Sequence, residues 1–128
     1  MVSFDGFRAD GREPIYMQII GYIKRGIVAG DIPDGDELPS RRVLSALLGV
    51  NPNTVQKACR QLEEEGILVS HAGSKSFIAC SAQKREELRR ELVIEGVAES
   101  ALKLKRMGLS LDEAISLIRR AWEEDGNG

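Results

Sequence analysis

The stretch Leu38–Leu62, LPSRRVLSALLGVNPNTVQKACRQL, most narrows what this chain can fold into. Ser40 is placed to cap a helix whose buried side is expected to carry Val43, Leu44, Leu47 and Leu48, and Gly49 ends it. Asn51-Pro52 restarts the chain. Asparagine can accept from the free amides of a first turn, and proline at the first helical position has no N–H to lose. In the helix that follows, Val55, Ala58, Cys59 and Leu62 recur at i, i+3, i+4 and i+7, which makes one buried face. The opposite side carries Asn53, Gln56, Lys57 and Arg60. With Val50 as the plug of the turn, this is a helix-turn-helix pattern.

The flanks complete a domain. Residues 1–13 show no periodicity and are expected to be a flexible N-terminal arm. Pro14 opens a helix in which Ile15, Ile19, Ile23 and Ile27 form a stripe with Tyr16 and Ile20 beside it; Gly30 stops it, and Pro33-Asp34-Gly35 is a turn. After Gly66, two β-like runs, Ile67–His71 and Ser76–Ala79, surround a glycine-containing tip, Ala72-Gly73-Ser74-Lys75. Three helices and a hairpin over residues 14–80 predict a mainly α chain with a small β-hairpin, a winged helix-turn-helix.

Residues 81–128 read as two more helices. The first runs from Ser81 to about Met107, and Gly108-Leu109 breaks it. Ser110-Leu111-Asp112-Glu113 is a capping box for the last helix, whose Leu111, Ala114, Ile115, Ile118, Ala121 and Trp122 share a face. Two apolar-faced helices are too little chain to bury a core of their own. A second copy is the economical cover, so this segment is expected to be a helical dimerisation tail.

Composition restricts function. The net charge of −2 argues against an indiscriminate polyanion binder, yet Pro39–Leu62 holds four cations (Arg41, Arg42, Lys57, Arg60) and no acid. Acids gather instead at Asp31–Glu37, at Glu63–Glu65 and in the tail. A segregated basic surface suits a specific double-stranded DNA partner. Asparagine and glutamine can grip adenine with two hydrogen bonds, and lysine or arginine can grip guanine. Two separated cysteines and one histidine supply no disulfide framework or zinc site, and reduced cytoplasmic thiols are expected. With no phosphate-binding glycine loop and only scattered acids, neither catalytic residues, metal nor cofactor is expected. No run of about 18 apolar residues exists to enter a membrane. The rival reading is a winged-helix protein-interaction module without specific DNA binding, which would need apolar anchors on the third helix.

Pro14–Ile78 resembles the DNA-binding domain of the GntR family of bacterial regulators. The resemblance rests on PIYMQI at Pro14–Ile19, LPSRR at Leu38–Arg42, VNPNTVQKA at Val50–Ala58, LEEEG at Leu62–Gly66 and AGSKSF at Ala72–Phe77, in that order. With only two helices after the wing, the chain is similar to the short YtrA-like subgroup over residues 14–125. The resemblance implies that Arg42 reaches a phosphate or base from the second helix. It also implies that Asn51, Asn53, Thr54 and Gln56 face the major groove, that Lys57 lies near the backbone, and that Ala72 and Gly73 approach the minor groove. Two departures stand out. Arg41 replaces a usual acid and is expected to add a phosphate contact, and Lys75 and Ser76 replace the second glycine and the threonine of a Gly-x-Gly-Thr-Phe wing, adding a cation. A two-fold homodimer would place two third helices on successive major-groove faces, so a near-palindromic operator is expected; kinship further suggests repression and control of a transporter operon. An unidentified small-molecule effector would need a pocket formed between subunits.

Overall fold

The computed structural model describes residues 1–71 and 75–126; Ala72 and Gly73, expected at the wing tip, lie outside them. The elements are α1 (Ile15–Ala29), β1 (Glu37–Leu38), α2 (Arg41–Leu48), α3 (Pro52–Glu64), β2 (Leu68–His71), β3 (Lys75–Ile78), α4 (Ala82–Arg106) and α5 (Leu111–Gly126). The chain is mainly α with a small antiparallel sheet and carries two further helices after it. Its two compact units are Met1–Arg89 and Arg90–Gly128.

In the first unit the apolar stripe of α1 becomes a core. Ile19, Ile23 and Ile27 are buried with Leu44 of α2, Val55, Ala58, Cys59 and Leu62 of α3, and Ile67, Leu68 and Ile78 from the sheet region. Burying each large aliphatic side chain contributes about 1.5–3 kcal/mol before conformational entropy is counted. Gly26 lets the following turn close on α1: a Cβ there would stand 2.5 Å from the Ile32 side chain. Its carbonyl accepts from the amides of both Asp31 and Ile32.

The sheet differs from the expected hairpin by one strand. Its order is β1-β3-β2, with Glu37 and Leu38 opposite Phe77 and Ser76, and Leu68 to His71 opposite Ile78 to Lys75. A two-residue strand has no alternation to read, which is why β1 does not show in the sequence. The Cys80 amide donates to Asp34 Oδ1 at 2.8 Å, tying the Pro33-Asp34-Gly35 turn to the chain just before α4.

Two further expectations change. The arm over residues 1–13 is packed: Val2 and Phe4 are buried, and the Val2 amide donates to the Glu37 carbonyl. Phe4 stacks on Tyr22, Phe7 meets the same ring edge-on, and the Tyr22 hydroxyl donates to the Ser3 carbonyl. Gln18, buried on α1, holds the rest of the arm, accepting from the Asp10 amide and donating to the carbonyls of Asp10 and Glu13. Aperiodic apolar residues can pack without a regular element, so missing periodicity does not imply a free arm. On α2, Leu44 is buried and Leu48 half-buried, whereas Val43 and Leu47 are exposed. Val43 and Leu47 lie one turn apart on an edge of the helix about 100° round from Leu44 and Leu48, and only the Leu44–Leu48 edge meets the core.

In the second unit, the Ser110 hydroxyl accepts from the Glu113 amide while the Glu113 carboxylate accepts from the Ser110 amide. That reciprocal capping box starts α5 where the sequence places it. On the face it projects, Leu111, Ile115, Ile118 and Trp122 are all exposed.

Candidate nucleic-acid interface

The turn between α2 and α3 is held from both sides. Gly49 adopts φ +65°, the left-handed conformation that ends α2 without a side-chain penalty. The buried Ser45 hydroxyl donates to the Val50 carbonyl at 2.6 Å, and the Asn51 side chain accepts from the Asn53 amide at 2.8 Å. Asn51 is thus the N-cap of α3, and Pro52 follows at the first helical position. These contacts set the angle at which α3 leaves the turn.

One face of α3 is packed through Val55, Ala58, Cys59 and Leu62. The other holds the polar residues expected there. Asn51, Asn53, Lys57 and Arg60 are exposed, while Thr54 and Gln56 are half-buried. Spacing of three and four residues puts Asn53, Gln56, Lys57 and Arg60 along one strip. The Lys57 ammonium sits 4.1 Å from the centroid of the Tyr16 ring, a cation–π contact from α1 that restrains a long side chain. Arg42 is exposed on α2, and Lys75 is exposed at the start of β3. Arg42, Asn51, Asn53 and Lys57 are therefore open to a ligand, and no large apolar side chain stands exposed on α3.

Arg41 is placed differently from a free cation. Its guanidinium donates to Gln56 Oε1, pairs with Glu63 at 2.5 Å and reaches Ser70 Oγ at 3.4 Å. The Ser70 hydroxyl also donates to Glu63 and lies 3.3 Å from Ser76 Oγ. This chain of contacts joins α2, α3 and both hairpin strands. Nothing in the helical periodicity signals it, because its members come from four elements; the substitution of a cation for a usual acid at Arg41 is the only hint.

The acidic run after the strip is also partly neutralised. Glu63 is paired with Arg41, and Glu65 accepts from Lys24 of α1 at 2.8 Å. Burial pushes the Cys59 thiol above its usual range, opposed by the nearby Arg41 charge, so the side chain remains a protonated member of the core. Both cysteines are free thiols. Among the described residues no group of three or more His, Cys, Asp or Glu could hold a metal ion, and no helix is long and apolar enough to cross a membrane.

A winged helix-turn-helix with an amide- and cation-bearing third helix has clear kin. The family model described as bacterial regulatory proteins, gntR family, matches residues 15–78. The chain belongs to the GntR family. It is a transcriptional regulator with a DNA-binding winged helix, and the family to which it belongs consists of regulators, not enzymes. It is 34% identical over 107 residues to the uncharacterized HTH-type transcriptional regulator YhcF of Bacillus subtilis, covering 84% of this chain and 88% of that protein. It is 43% identical over 70 residues to the HTH-type transcriptional repressor YtrA of Bacillus subtilis, covering 55% of this chain and 54% of the repressor. A GntR family transcriptional regulator from Listeria monocytogenes superposes with a TM-score of 0.76 at 29% identity, covering 88% of this chain and 98% of the other. The DNA-binding domain of AraR in complex with operator ORX1 superposes with a TM-score of 0.51 at 28% identity, over 56% of this chain and 93% of that domain.

Proposed function

We propose that this GntR-family chain is a cytoplasmic repressor that binds a near-palindromic operator as a homodimer. The observation that carries the reading is the polar strip on α3, where Asn53, Lys57 and Arg60 are exposed beside the Asn51 cap. Amides and cations at helical spacing match base edges and phosphates in a major groove. Asn51, Asn53, Thr54 and Gln56 face the bases in this reading. Lys57, Arg42 and the wing cation Lys75 neutralise phosphates, and the tip residues Ala72 and Gly73 approach the minor groove in this reading.

Pairing gives the reading its second half. One α3 spans only a few base pairs, whereas two related by a two-fold axis engage half-sites about one helical turn or more apart. The exposed apolar face of α5 supplies area for such pairing. The repressor assignment follows kinship with a protein named a repressor. Control of a transporter operon follows the subgroup resemblance, and a small-molecule effector would bind between subunits.

The test is selection of bound duplexes from a random pool by the full chain, followed by titration against salt. An enriched inverted repeat is the expected result. Lys57→Ala should weaken binding to all sequences alike and reduce the slope of log K against log salt by about 0.9 for the lost phosphate contact. Asn53→Ala should instead relax preference at one position in each half-site. A pool without an enriched motif overturns the reading.

A further inference from the structure

We infer that Arg41 is a positioning residue for base recognition: it fixes the Gln56 amide so that only its N–H edge is offered to DNA. The inference rests on the reading of α3 as the DNA-facing helix. Arginine has donors and no acceptor, so the Gln56 atom facing its guanidinium is Oε1 and the amide orientation follows from chemistry. That leaves Nε2, with two N–H donors, as the free end of the side chain.

Arg41 is itself held in place. The Glu63 carboxylate pairs with its Nη2, and Ser70 Oγ touches both Glu63 and the guanidinium. Glu63 lies seven residues beyond Gln56 on the same side of α3, so Arg41 bridges two turns of that helix from α2. A rigid bidentate fork is better suited to this than a flexible ammonium. The positive charge beside Oε1 disfavours a second donor approaching that oxygen, and it polarises the amide toward giving its own hydrogens.

The consequence is a choice of base. Two-bond recognition of adenine needs both ends of a glutamine amide, Oε1 for the N6 amino group and an N–H for N7. An amide committed at Oε1 favours acceptor edges instead, guanine O6/N7 or thymine O4. The base that Gln56 prefers is then determined by a residue that need not touch DNA. The same contacts continue through Ser70 to Ser76, so the wing strands help hold the amide.

Base-preference profiles of the full chain test this, using four proteins: wild type, Gln56→Ala, Arg41→Met and the double variant. Gln56→Ala should flatten one position per half-site. Arg41→Met should move that position toward adenine, changing the guanine-or-thymine to adenine ratio about tenfold or more, the scale of one good base contact. It should leave flanking positions alone, and the double variant should match Gln56→Ala there. Glu63→Gln, which loosens the Arg41 anchor without altering Gln56, should shift the same position in the same direction by less. It provides the test if Arg41→Met does not fold. If Arg41→Met keeps the wild-type profile but lowers affinity for all sequences and reduces the salt slope, Arg41 is a phosphate contact. The positioning role is then overturned while base reading by Gln56 stands. If Gln56→Ala leaves every position unchanged, Gln56 does not read bases and both ideas fall together.

Discussion

Helices α1 and α5 carry the same kind of apolar stripe and meet different fates. On α1, Ile19, Ile23 and Ile27 are at most 1% exposed. On α5, Ile115, Ile118 and Trp122 are 42%, 47% and 79% exposed. The periodicity is equivalent, since isoleucines at i and i+3 or i+4 define one face in each. What differs is the surroundings: α2, α3 and the sheet supply apolar side chains against the first stripe within one chain. An amphipathic pattern therefore shows which face seeks burial, without showing whether the same chain or another covers it.

That difference predicts contrasting responses to truncation. Leu62→Ala or Ile23→Ala, within the packed unit, should lower unfolding free energy by about 2–5 kcal/mol, read by urea melts. A cost below about 1 kcal/mol would mean that the α1–α3 packing is looser than its burial indicates. Trp122→Ala should hardly affect the melting of dilute chain, because the ring is already exposed. If α5 is the pairing face, the same change should weaken self-association by about 2 kcal/mol, the scale of a buried aromatic anchor, measured by sedimentation across a dilution series. Equal association of both proteins would remove α5 from the pairing surface.

The smaller effects concern how α5 begins. Ser110→Ala removes the hydroxyl that accepts from the Glu113 amide and should cost about 1 kcal/mol of local helix stability, followed by amide exchange in the first turn. Glu113 adds a pH dependence. Hydrogen bonds from Ser110 hold its carboxyl below the ordinary range. Its folded value is the lower one, so the stabilisation is complete above the ordinary carboxylate range. It is lost as pH falls through the lowered folded value. Glu113→Gln should flatten that acid-side dependence, and an unchanged profile would assign it to another group.

Local chemistry was the most legible part of this chain. Ser40, Gly49, Asn51-Pro52 and the Ser110–Glu113 box each signal a boundary through an interaction completed within a few residues, and each forms as expected. The buried face of α3 was equally readable, because Val55, Ala58, Cys59 and Leu62 lie on one side whatever covers them. Interactions between distant residues were not. The arm depends on Tyr22 and Gln18, which meet Phe4 and Asp10 only after α1 has formed. Strand β1 exists because β3 lies beside it, and its two residues carry no pattern of their own. At the interface, residue type found the polar strip, but Arg41 looked like a spare cation. Its engagement with Gln56 and Glu63 becomes visible only when α2 is packed across α3.

Tail and winged unit are joined functionally by the proposal that α3 reads DNA in pairs. Sedimentation of the full chain with its selected duplex, at saturating protein, measures that stoichiometry. Two chains on each inverted repeat, with a marked loss of affinity when one half-site is scrambled, is the predicted result. One chain per duplex at saturation, bound as tightly to a single half-site as to the complete repeat, would contradict it.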